Sequence, residues 1–140
     1  MKIKRTLQVT QKQFYDYLEA QLLNDIHLTN KKRISASDMT KGLKYTKEDS
    51  KSHMKTEIQI QKYVRGECYR FKVSYMSDST TIEYRTKSTD DGLQITMTQH
   101  IQSFDSKKHN KLSKNLHEAI YLSRMANTIY DIEKNILNET

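Results

Sequence analysis

The chain of 140 residues has a single cysteine, three glycines, no proline and no tryptophan. A lone Cys68 excludes an internal disulfide. Three glycines leave no Gly-rich loop to cradle a phosphate, and no G-x-S-x-G turn presents a nucleophilic serine. No stretch reaches the ~18 consecutive apolar residues that a membrane helix needs. The N-terminus carries charge without an apolar run, so no signal peptide is expected and a cytoplasmic, reducing location follows. Apolar residues make up only 35% of the chain, and mean hydropathy is −0.88. They nevertheless recur with clear periods, which argues against disorder. Linkers, internal repeats and low-complexity segments are lacking, so one domain over residues 1–140 is expected. At this length roughly 68% of the unfolded chain's surface can be buried.

What is present is basic, rich in tyrosine and periodic. There are 24 Lys and Arg against 17 Asp and Glu, a net charge of +7, and 9 Tyr. Residues 1–87 hold 18 basic and 10 acidic side chains, and residues 88–140 hold 6 and 7. Basic residues mostly alternate with polar and acidic ones, the pattern of a solvated surface. Lys31-Lys32-Arg33 is the one basic run. Tyrosine joins an apolar body to a polar tip and suits the edge of a core or a half-wet pocket.

Ile3, Arg5, Leu7 and Val9 alternate with Lys2, Lys4, Thr6 and Gln8, which predicts an opening strand. Thr10 and Gln13 have the spacing of a capping box, and Val9 and Phe14 that of a hydrophobic staple. The helix they open carries Phe14, Tyr17, Leu18, Gln21 and Leu22 on one face and is expected to end between Asn24 and His27. Residues 28–42 read as a polar connection with a helical turn near Ser37 to Lys41. Alternation around Tyr45, Ile58, Phe71, Tyr84 and Ile95 then predicts a meander of strands over 43–103. Its turns fall at Arg65-Gly66-Glu67, Ser77-Asp78-Ser79 and Thr89-Asp90-Asp91-Gly92. Cys68 alternates with the apolar residues of its strand and is expected to be an outward, weakly reactive thiol.

From Asn110 to Leu137 the period becomes helical. At 100° per residue, Leu112, Leu116, Ala119, Ser123, Ala126 and Tyr130 form one row. Leu122, Met125, Ile129, Ile132 and Ile136 lie to one side of it, so the apolar stripe drifts around the helix. Small residues in the middle of the row suit either close packing on the sheet or room for a guest above it.

Motifs that would fix a reaction are missing. His117-Glu118 resembles a zinc-protease motif without its second histidine, and the histidines form no metal-spaced cluster. Asp90 and Asp91 sit in a turn, where aspartate serves backbone bonding. No acid–base pair is identifiable, no catalytic or metal residue is assigned, no cofactor is expected, and an enzyme ranks behind a binding protein.

The staple-capped opening (Leu7-Gln8-Val9-Thr10-Gln11-Lys12-Gln13-Phe14), the meander 43–103 and the long closing helix resemble the START-related helix-grip, or SRPBCC, superfamily. The opening and Gly42-Leu43-Lys44-Tyr45-Thr46 are also similar to a small family of uncharacterised bacterial proteins known as a domain of unknown function. A lysine- and isoleucine-rich chain without proline suits an AT-rich bacterial genome. The resemblance implies an α+β fold in which a curved antiparallel sheet of about six strands grips a long C-terminal helix. It also implies a cavity between the two. Polar groups that would point into that cavity are Arg5, Tyr45, Thr56, Tyr69, Tyr75, Tyr84, Thr86 and Gln99 from the sheet, and Ser123, Asn127 and Tyr130 from the helix. Arg5 would meet a ligand's acidic head, because an unpaired buried charge is costly.

Two functions follow. In the first, the cavity binds a small apolar or anionic amphipathic molecule without catalysis. In the second, a basic outer sheet face (Lys55, Lys62, Arg70, Lys72, Arg85, Lys87) binds an acidic protein, an anionic lipid or nucleic acid, nucleic acid being disfavoured.

Overall fold

The computed structural model of the protein describes residues 1–30, 35–48, 51–103 and 111–139. The basic run Lys31-Lys32-Arg33 lies outside them for all described purposes. In chain order the elements are β1 (Lys2–Leu7), α1 (Gln11–Asn30), a short 3₁₀ turn (Ala36–Asp38), β2 (Lys44–Glu48), β3 (Lys55–Val64), β4 (Cys68–Tyr75), β5 (Asp78–Thr89), β6 (Gly92–Ile101) and α2 (Lys111–Asn138). The six strands form one antiparallel sheet ordered β1-β6-β5-β4-β3-β2. This is the helix-grip architecture.

The start of α1 follows from its sequence. Thr10 Oγ1 accepts the Gln13 amide N–H at 3.1 Å, and Gln13 Oε1 accepts the Thr10 N–H at 2.8 Å. The two side chains satisfy two amides that the first turn cannot. Val9 and Phe14 are both buried beneath the cap, completing the staple. The helix runs further than its periodicity suggests, to Asn30, because Ile26 continues the buried face one turn beyond Leu22. Tyr15, not Gln21, belongs to that face: Tyr15 is wholly buried and Gln21 is exposed.

Cross-strand register sets the two faces of the sheet. Ile3, Met97, Tyr84 and Tyr69 form one inward row across β1, β6, β5 and β4. Inward side chains fall into two clusters. One joins Ile3, Leu7, Leu93, Ile95 and Met97 to Met125, Ile129, Ile132 and Ile136 of α2. The other joins Tyr45, Ile58, Ile60 and Tyr69 to Leu22 and Ile26 of α1 and to Met39. α2 covers the β1–β6 flank, and α1 covers the β2–β3 flank while its first turns add Phe14 and Tyr15 to the first cluster beside Tyr84. Phe71 of β4 packs against both clusters, on the strip between them.

The Asp90-Asp91 turn closes against β1. Gly92 has φ +138°, and a Cβ there would run into the Leu7 carbonyl. Glycine is needed for that close approach. Cys68 corrects an expectation. It is buried, 1% exposed, on the rung between Val64 of β3 and Arg85 of β5.

The capping pair gives a stability test. Thr10→Ala is expected to lower unfolding free energy by about 1 kcal/mol in urea titration, with the m-value unchanged. A loss near zero would show that α1 is held by packing alone.

Candidate functional site

The sealing of the concave face is uneven. Near the β5–β6 turn, Leu7, Leu93 and Ile95 are almost wholly buried. On the central strip towards the β4–β5 turn, Phe71, Val73 and Ile82 are only half-buried, although all three point inward. Thr80, Gln99, Thr56 and Tyr75 are half-buried beside them. The strip lies between the flanks held by α1 and α2, and Leu122 and Ala126 of α2 border it as partly buried neighbours of the first cluster.

At the end of this strip a pocket of about 300 Å³ is lined by Lys47, Glu48, Ser52, Met54, Thr56 and Tyr75. The Tyr75 hydroxyl donates to Met54 Sδ at 2.9 Å. The Lys47 ammonium is 3.4 Å from the Asp25 carboxylate, so its charge is already answered. A second cleft, about 400 Å³, lies at the opposite end between Gln8–Gln13 and the β5–β6 turn.

Three tyrosine rings stand in the interior: Tyr45, Tyr69 and Tyr84, each 5–7% exposed. Their hydroxyls hydrogen-bond to no described residue. Burial pushes all three phenols up, Tyr84 to about 12. Tyr15 differs. Its hydroxyl is 2.7 Å from Thr86 Oγ1, which in turn donates to the Gly66 carbonyl at 3.1 Å. Tyr63 donates to the Glu19 carboxylate, which also takes Arg65 at 2.8 Å. The three unpartnered hydroxyls therefore belong to inward tyrosines of the concave face, while those of Tyr15 and Tyr63 are tied down.

Arg5 stands on the same face, opposite Ile95. It is half-buried, and its Nη1 donates to the Lys4 carbonyl at 2.8 Å. It lies on β1 at one edge of the sheet and Tyr45 on β2 at the other. Five strand spacings make about 24 Å of sheet between them, more than one small polar head can bridge. Ser123 and Asn127 lie on the exposed side of α2. The row that includes Ser123 leaves Leu112, Leu116 and Tyr130 exposed, while Leu122, Met125, Ile129, Ile132 and Ile136 turn inward. The inner row prevails because its residues are larger, so it removes more apolar surface from water.

Outward, the register gathers Lys62, Arg70, Lys72, Arg85 and Lys87 on neighbouring rungs. Glu83 stands among them, 2.8 Å from Arg85 and 3.5 Å from Arg70. Among the described residues no group of three His, Cys, Asp or Glu side chains is placed to hold a metal, and no helix is long and apolar enough to cross a membrane. His117 Nδ1 is 2.8 Å from the Ser113 carbonyl in its own helix.

Over residues 1–122 the chain matches the family model described as Domain of unknown function (DUF3284). The chain belongs to the DUF3284 family. No curated protein matches it. Among solved structures, the chain is similar to NE0264 from Nitrosomonas europaea, with TM-score 0.66, 15% identity, and 100% of this chain and 95% of that one covered. It is similar to SA2116, a protein of unknown function from Staphylococcus aureus, with TM-score 0.65, 15% identity and coverage of 99% and 93%. Ara h 8.0201, a Bet v1-like protein, superposes with TM-score 0.65, 12% identity and coverage of 99% and 97%. At these identities the likeness establishes the helix-grip fold alone.

The two classes of tyrosine give a paired prediction. Tyr15→Phe, which removes the hydrogen bond to Thr86, is expected to cost about 1 kcal/mol in urea unfolding, and Tyr84→Phe to change stability by less than about 0.5 kcal/mol. Tyr84 also sets an alkaline limit. Its folded value, about 12, lies above the ordinary 10.0. The unfolded chain therefore releases this proton first, so the contribution is complete below pH 10 and is lost as pH rises through about 12. Urea titrations across that range are expected to show a shallower decline for Tyr84→Phe than for the unsubstituted protein.

Proposed function

We propose that this DUF3284 protein binds a small apolar or amphipathic molecule in the hollow between α1 and α2, on the central strip of the concave sheet. The observation that carries this reading is the coincidence of half-buried Phe71, Val73 and Ile82 with the unpartnered hydroxyls of Tyr45, Tyr69 and Tyr84. Apolar side chains left half-open on an inward face lose part of the gain from burial. The three hydroxyls hydrogen-bond to no described residue and are not sealed from solvent, so they are available to a guest. A guest with an apolar body and a hydrogen-bond acceptor answers both. Mostly apolar walls with a few convergent polar groups are the usual makeup of a ligand site. Thr56, Tyr75 and Gln99 border the strip and would give the guest polar contacts at its mouth. Arg5 stands apart from the tyrosines and would serve an acidic head only for a guest extended towards β1.

Native mass spectrometry of protein purified without detergent tests this. A co-purifying molecule is expected on the unsubstituted protein and is expected to be lost in Val73→Trp, whose larger ring fills the strip. A titration with a fluorescent fatty acid and its uncharged methyl ester complements it. If Arg5 meets the head group, Arg5→Ala weakens the acid more than the ester; equal effects remove Arg5 from the site. An apo mass together with no saturable uptake of either probe overturns the reading.

The outer face supports a second reading. Lys62, Arg70, Lys72, Arg85 and Lys87 outnumber Glu83 on adjoining rungs, and Arg70 Nε is buried without a partner among the described residues. Such a face would hold an acidic protein or anionic lipid. That association would weaken steeply with salt, whereas filling the hollow would not.

A further inference from the structure

The outer face of the sheet carries mostly one sign of charge over a broad area. Lys2, Thr98, Glu83, Arg70 and Lys62 follow one another on one rung from β1 to β3. Lys4, Thr96 and Arg85 share the next rung, Lys87 lies one rung beyond, and Lys72 lies one rung to the other side. Four strand spacings make this basic area about 19 Å wide. Lys2, Lys4, Arg85 and Lys87 are exposed, and Lys62, Arg70 and Lys72 are half-buried. Glu83 and Glu67 are the carboxylates that act on Arg85, and the Glu83 side chain is largely covered, 16% exposed. Glu57 stands two rungs from Lys62, next to Lys55 on the same face of β3. The rungs hold no aromatic side chain, and of the exposed large apolar residues among those described only Val64 borders them.

Resting on the basic-face reading above, we propose that this surface docks on a lipid bilayer carrying acidic headgroups. Charge complementarity requires an anion, and the makeup of the face selects among anionic partners. A protein interface is centred on buried aromatic or apolar anchors, with charge towards its rim. Here charge occupies the centre and the anchor is missing. A single nucleic-acid strand is held by stacking on aromatic rings, and these rungs have none. A duplex groove is read by an inserted helix or two-stranded ribbon, and both helices pack on the opposite face. A bilayer needs neither. Its surface potential draws each basic side chain held near it, raising affinity about fivefold per charge. It also presents charge in two dimensions, as the sheet does. Long lysine stems reach from the curved face to the phosphates. Thr96 and Thr98, short side chains between the basic columns of β1 and β5, leave room for headgroups to approach. In this pose α1, α2 and the hollow lie on the side away from the lipid.

Co-sedimentation with phosphatidylcholine vesicles, with and without phosphatidylserine, tests the proposal. The unsubstituted protein is expected to pellet with phosphatidylserine vesicles at low salt, to stay in solution with phosphatidylcholine alone, and to be released as salt is raised. Lys4→Glu with Lys87→Glu is expected to weaken binding about twentyfold or more. Arg124→Glu with Lys134→Glu changes net charge equally, at exposed positions of α2, and is expected to leave most of the binding in place. Both pairs are expected to keep the melting temperature of the unsubstituted protein, since all four side chains are exposed. Val73→Trp is expected to bind vesicles normally, which separates this surface from the hollow. Equal losses in the two pairs, equal binding to phosphatidylcholine alone, or no binding at low salt overturns the proposal. In the last case, salt-sensitive capture of polyglutamate through Lys4 and Lys87 keeps the basic-face reading and gives the face to an acidic protein. Capture of duplex DNA through the same residues gives it to nucleic acid, and capture of neither removes that reading as well.

Discussion

The structure depends on the seating of α2. Five large apolar side chains, from Leu122 to Ile136, press the C-terminal half of the helix onto the β1–β6 flank. Two polar contacts fix the angle at that end: the Glu133 carboxylate accepts the Gln8 N–H at 2.7 Å, and Asn135 Nδ2 donates to the Tyr17 hydroxyl at 3.0 Å. The 28 residues of α2 span about 42 Å, roughly twice the reach of the six-residue β1. A helix anchored by one half and longer than the strand beneath it leaves Leu112 and Leu116 of its first turns exposed. The half-open strip and the exposed outer row both follow from that mismatch.

α1 completes the constraint from the other flank. Its cap is set by Thr10 and Gln13, and its middle is tied to the β3–β4 turn by Arg65, which holds Asp16 at 2.6 Å and Glu19 at 2.8 Å. These are exposed pairs and add little stability individually. Their effect is positional: they keep α1 over β2 and β3 and off the central strip. The two helices bury Tyr69 of β4 and Tyr84 of β5 but leave Phe71, Val73 and Ile82, further along the same strands, half-open. The tyrosines are arranged accordingly. Tyr15 and Tyr63 have hydrogen-bond partners, and Tyr45, Tyr69 and Tyr84 have none among the described residues.

Much of this was legible in the residues. The alternation of every strand, the three turns and the capping box are local patterns with local causes, and the meander of short-range antiparallel pairs needs nothing more to define its order. What escaped was decided between elements. The projection of α2 displays two rows of comparable apolarity, and which one turns inward depends on the volume available above Met97 and Ile95. Cys68 looks outward in its own strand, yet it is 1% exposed on the rung between Val64 and Arg85. Tyr15 sits one position from the expected face of α1, yet its hydroxyl reaches Thr86, 71 residues away. Of the site, the choice of inward tyrosines was readable from alternation. Which of their hydroxyls would remain without a partner was not, because that depends on Glu19 and Thr86 approaching from distant elements.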